Sequence, residues 1–153
     1  MGNRANGPAQ LLLHTDASMY APSSRAGVGW VYYDPHKKQT AKSGGRLIPF
    51  DGRSIHWFEF VALRDALQYL HGKYWKGRLV IKTDSRPIYN GLMTIGGCHD
   101  EVQSVRDECH ALLMAWTGFW TVDKIPRHLN KVAHKLARAY CFRDYIPNQL
   151  VKS

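Results

Sequence analysis

Apolar and polar positions along this chain follow two rhythms. Leu11 to Ser18 reads LLLHTDAS and Leu79 to Ser85 reads LVIKTDS, each an apolar run closing on Thr, Asp and a nearby Ser. Such runs predict strands buried on both faces, with Asp16 and Asp84 at the strand ends. In AGVGWVYYD, Val28, Trp30 and Tyr32 alternate with Gly29, Val31 and Tyr33, as in a strand. Gly27 and Gly29 leave room for another backbone or a ligand to come close. PHKK then reads as a hairpin turn, and Gln39 to Ile48 as a third strand bent at Gly44 and Gly45.

From Ser54 the period lengthens. Phe58, Val61, Ala62, Leu63, Ala66, Leu67 and Leu70 recur at helical spacing until Gly72, with Glu59 in the first turns. After the second TDS strand, Pro87 suits the first turn of a short helix from about Arg86 to Leu92. Glu101 to Trp116 predicts a longer helix, Trp120 to Ile125 a strand, and Asn130 to Cys141 a final helix with Asn130 as its cap. The order is βββαβααβα. An antiparallel meander followed by alternating helix and strand implies an α/β fold with one five-stranded mixed sheet, two of its strands parallel, flanked by helices. The expected domain spans residues 10–144, between a loose tail over 1–9 and another over 145–153.

Composition narrows the partners. The 153 residues fit one domain, and 21 basic against 12 acidic residues leave a formal charge of +9. That balance calls for a polyanion, nucleic acid first, although a ribosomal or generally adhesive basic protein has the same charge. A membrane surface fits poorly, because no helix-length segment pairs a basic face with an aromatic and leucine face. Cys98, Cys109 and Cys141 cannot pair completely, which favours a reducing compartment. Cys98-His99 and Cys109-His110 match no usual zinc spacing. The polar start MGNRANGPAQ lacks a signal-length apolar segment, and Asn6 stands where a myristoylation signal wants Ser or Thr. No apolar stretch is long enough to span a bilayer, so a soluble, intracellular or cytoplasmic chain is expected.

The candidate chemistry lies in the acids. A carboxylate beside apolar strands is costly unless something positive meets it. Two TDS strands side by side would bring Asp16 and Asp84 together, with a divalent cation as the natural partner. On the last helix Val132, Ala133, Leu136, Ala137 and Tyr140 form the apolar stripe, and His134 lies at its edge one turn after Asn130. Trp30, Trp57 and Trp116 fall on or beside apolar stripes and read as core. Tyr74 and Trp75, between Lys73 and Lys76, are the cluster best suited to touching a duplex.

HTDAS with AGVGW, FEFVALRDAL, IKTDS followed by YNGL, and RHLNKVAHKLARAY occur in one order from Leu11 to about Cys141. In these segments the chain resembles type 1 ribonuclease H, especially its short plant and retroelement-like branch. The resemblance implies a ribonuclease H-like fold and metal ligands at Asp16, Glu59, Asp84 and His134, the last standing where the commonest pattern has Asp. It also implies two Mg2+ or Mn2+ ions and cleavage of the RNA strand of an RNA/DNA hybrid to give a 3′ hydroxyl and a 5′ phosphate. Ser18, Arg86, Arg127 and Asn130 are the implied substrate contacts, and no protein partner is implied. The family's loop histidine falls on Lys124, with His128 nearby, and a short link from Thr94 to Asp100 replaces the basic protrusion of some bacterial relatives. Two other readings share this scaffold: a catalytically silent nucleic-acid-binding domain, and a resolvase or exonuclease.

Overall fold

The computed structural model describes residues 9–37, 41–49, 52–74, 76–94 and 100–143. Strands β1 (Gln10–Tyr20), β2 (Arg25–Tyr33) and β3 (Lys42–Pro49) precede helix α1 (Ile55–Lys73) and strand β4 (Lys76–Thr83). Helices α2 (Arg86–Met93) and α3 (Asp100–Met114), strand β5 (Thr117–Lys124) and helix α4 (Lys131–Cys141) follow, so the order is the expected one. The five strands lie side by side as β3-β2-β1-β4-β5. β1 pairs antiparallel with β2, and β2 with β3, whereas β1–β4 and β4–β5 are parallel.

The two TDS strands are therefore parallel neighbours, with Leu11 opposite Leu79, Leu13 opposite Ile81 and His14 opposite Lys82. That register, carried two residues further, sets Asp16 opposite Asp84. Alternation along β1 sorts its side chains between two layers. Leu11, Leu13, Thr15 and Ala17 are buried on the core side, where α1 supplies Phe58, Leu63, Leu67 and Leu70 and α3 supplies Val105, Cys109 and Leu113. His14, Asp16 and Ser18 face the other layer, which α4 covers.

Glycine explains how α4 comes so close. A Cβ on Gly27 would collide with the Ala137 carbonyl and the Cys141 amide, and one on Gly29 would stand 2.8 Å from Ala137 N and Leu136 Cβ. The helix backbone thus lies directly on β2, the close approach expected from these two residues. The Gly44-Gly45 pair also makes room for close neighbours, and it introduces no bulge. β3 keeps continuous register with β2 from Lys42 to Pro49, and side chains at 44 and 45 would strike the Trp30 and Tyr140 rings.

Two boundaries also differ from expectation. α3 stops at Met114 and β5 begins at Thr117. Trp116, 5 % exposed, leaves the helix to donate its indole N–H to Gly77 O at 2.8 Å, and burial of that polar ring outweighs another half-turn of helix. Of the expected PHKK turn, Pro35 to Lys37 are described, with Lys37 N donating to Asp34 O at 3.2 Å. Lys38, Gln39 and Thr40 lie outside the described residues, as do Trp75 and the Cys98-His99 pair.

Candidate metal centre

Asp16, Glu59 and Asp84 offer carboxylate oxygens that all lie within 4.8 Å of one another. Each comes from a different element: β1, the early turns of α1 and the end of β4. Parallel pairing brings the two aspartates together. The start of α1 brings in Glu59, and that start is held by Ser54, whose hydroxyl accepts from Trp57 N at 3.4 Å and whose N–H donates to Glu101 Oε2 at 2.7 Å.

Glu59 is held further by two donors that the sequence reading did not single out. Ser85 Oγ donates to Glu59 Oε1 at 2.8 Å, and His56 Nδ1 lies 3.3 Å from the same oxygen. Ser85 also accepts from Ile88 N at 3.2 Å, capping α2. A signal for each was present: Ser85 belongs to the TDS run, and His56 precedes Glu59 by three helical positions.

Burial raises the Asp16 carboxyl above its ordinary pKa, and neighbouring Asp84 raises it further, against opposing hydrogen bonds from Ala17 N–H and His134. Burial likewise raises Glu59, with Ser85 and His56 opposing and Asp16 adding to the rise. Acids left short of positive charge in this way are what a bound cation relieves.

His134 stands beside this group, its Nδ1 3.0 Å from Asp16 Oδ2 and its side chain 40 % exposed. Asn130 begins α4, but its side chain does not cap the helix. Its Nδ2 donates to Thr15 O at 3.0 Å and its Oδ1 lies 3.2 Å from His14 Nδ1. With 1 % exposure, Asn130 fastens α4 to β1 one residue before Asp16 through both ends of its amide. Ser18 lies half-buried on the α4 face of β1. Arg86 is exposed at the first position of α2, and Arg127 is exposed in the 3-10 turn Arg127–Leu129. Lys124, opposite Thr83 at the end of β5, and His128 are exposed as well. Cys109 is far from metal chemistry: it is fully buried, its thiol reaches Phe60 O at 3.4 Å, and burial pushes its pKa far above the usual thiol range.

Asp84 follows directly on the end of β4, whereas Asp16 does not end its strand as its apolar run predicts: β1 continues against β2 to Tyr20, and only its pairing with β4 stops before Asp16. A five-stranded sheet in this order, with acids brought together where β1 and β4 part, defines the ribonuclease H-like class of fold. The chain belongs to the reverse transcriptase-like family, whose sequence profile matches residues 14–140. Among solved structures it is similar to RNase H1 from the halophilic archaeon Halobacterium salinarum, with 21 % identity, a TM-score of 0.75, and coverage of 86 % of this chain and 96 % of that one. The N-terminal RNase H domain from Mycobacterium tuberculosis is 15 % identical, with a TM-score of 0.75 over 86 % and 98 % of the two chains. LC11-RNase H1, solved in complex with an RNA/DNA hybrid, is 18 % identical, with a TM-score of 0.73 over 88 % and 98 %. No curated protein sequence matches the chain. At these identities the structural likeness carries the fold.

Proposed function

We propose that this chain is a metal-dependent endoribonuclease that hydrolyses the RNA strand of RNA/DNA hybrids. The observation that carries the reading is the convergence of Asp16, Glu59 and Asp84 within 4.8 Å. A domain that merely bound nucleic acid would gain nothing from three acids held close in a partly buried place.

The donor set fits Mg2+ or Mn2+. Three carboxylates supply hard oxygen ligands, and the acids around Asp16 lack the positive charge that a divalent ion brings. Asp16, Glu59 and Asp84 would hold one ion, and Asp16 with His134 would help hold a second. When bound, such a pair supplies activation of a water and neutralisation of charge on the scissile phosphate. The chain's own residues supply placement. The exposed guanidinium groups of Arg86 and Arg127 are available to phosphates from segments adjoining Asp84 and α4. Ser18, two residues after Asp16 on the same face of β1, can set backbone groups toward the 2′ hydroxyl that distinguishes RNA from DNA.

The test uses labelled RNA/DNA hybrid, duplex RNA and duplex DNA, each with Mg2+, Mn2+ or chelator. The expected result is metal-dependent cleavage of the RNA strand of the hybrid alone, lowered by at least about a thousandfold in Asp84→Asn. Binding of the hybrid without cleavage under every metal condition would instead establish the silent-domain reading, and cleavage of duplex DNA would point to a resolvase or exonuclease.

A further inference from the structure

We propose that Ser85 is a positioning residue that restricts Glu59 to single-oxygen coordination and so biases the centre toward small divalent ions and against Ca2+. The inference rests on the nuclease reading and deepens it.

The hydrogen bonds around Ser85 leave its hydroxyl one arrangement. Its Oγ accepts from Ile88 N at 3.2 Å, so its single proton is free to go to Glu59 Oε1 at 2.8 Å. The residue is 5 % exposed, so water has little access to replace either partner. Its backbone is tied too: Ser85 N donates to Thr83 Oγ1 at 3.0 Å, and its carbonyl accepts from Tyr89 N at 3.2 Å. Ser85 cannot swing aside without undoing the turn between Asp84 and α2. His56 adds a second donor to the same Oε1, but at 3.3 Å and with its side chain 49 % exposed it is the more easily displaced.

Both donors fall on one oxygen. That leaves Oε2 the oxygen open to a cation, and gripping both oxygens would make Oε1 shed the exposed His56 and share its remaining electron density between the ion and the buried Ser85 hydroxyl, weakening a hydrogen bond that water cannot replace. This matters for ion size. Ca2+ gathers about six to eight oxygens and commonly takes a carboxylate through both, whereas Mg2+ keeps about six ligands in octahedral array and accepts carboxylates singly. A Glu59 fixed by Ser85 serves the second kind of ion.

The experiment is calorimetric titration of the full chain with MgCl2, MnCl2 and CaCl2, comparing wild type, Ser85→Gly and Ser85→Thr, with unfolding followed in parallel. Glycine is only slightly the poorer helix cap and has no proton to give Glu59, while threonine keeps both functions. The expected result is a preference for Mg2+ over Ca2+ that falls by about tenfold in Ser85→Gly, the size of effect typical of a group that orients a ligand, and returns in Ser85→Thr. If Ser85 is only a helix cap, Ser85→Gly lowers Tm and leaves the ion preference unchanged, which overturns the inference while the nuclease reading stands. Absence of saturable binding by wild type, or binding indifferent to Asp84→Asn, would overturn the nuclease reading and this inference with it.

Discussion

At Asp16, burial and the nearby Asp84 both disfavour the charged carboxylate, so in metal-free protein this residue works against folding at neutral pH. The sign follows from linkage. A carboxyl whose folded pKa lies above its unfolded value adds stability fully only below the unfolded value and loses it as pH rises through the raised one. Asp16→Asn, which cannot ionise, is therefore expected to raise Tm in chelator at pH 7, with the gain shrinking toward pH 3, as thermal scans across pH would reveal. His134 bears on metal choice in a different way. Imidazole is a softer ligand than carboxylate, so the ratio of Mn2+-supported to Mg2+-supported cleavage is expected to be severalfold lower in His134→Asp. Equal ratios in the two proteins would remove the role given to this substitution.

At the scale of elements, the decisive contact is α4 against β2. Gly27 and Gly29 allow the helix backbone to rest on the strand, and only from that distance does His134 reach Asp16 at 3.0 Å. Asn130 sets the same helix lengthwise by gripping Thr15 O. Gly27→Ala would set a methyl group against helix backbone, which cannot yield as a flexible side chain would. Its expected cost is about 3 kcal/mol, at the upper end for overpacking, measurable as a lowered midpoint in urea. Loss of activity greater than the loss of folded protein would show that the shift of α4 also displaces His134. Ser54 and Ser85 act in parallel, each capping a helix whose start delivers an acid or a partner of one.

For the whole molecule, the formal charge of +9 sets long-range attraction more than selectivity, since contacts to phosphate carry no sequence information. Hybrid binding in chelator is expected to weaken by at least about tenfold between about 50 and 200 mM salt, read by fluorescence anisotropy; a flat response would mean that the basic residues do not meet the duplex. Among the described residues no helix is long and apolar enough to cross a membrane. Much of this architecture was legible in one dimension. Hydrophobic period identifies strands and helices because it reports which face of each element is buried, a local property, and the repeated TDS runs marked Asp16 and Asp84 for the same reason. The family motifs added Glu59 and His134. Pattern alone makes Asn130 a capping side chain, which the structure does not bear out, and does not assign the close approaches at Gly44 and Gly45 or the donors Ser85 and His56. The roles of Asn130, Gly44, Gly45 and Ser85 depend on partners far away in sequence: Thr15 on β1, the rings of Trp30 and Tyr140, the carboxylate of Glu59; only His56 meets its partner within one helical turn. Chain pattern determined which segments would be buried and which acids would close their apolar runs, whereas strand register and helix docking decided which donor meets which oxygen, because a hydrogen bond depends on tenths of an ångström between groups that no local period relates.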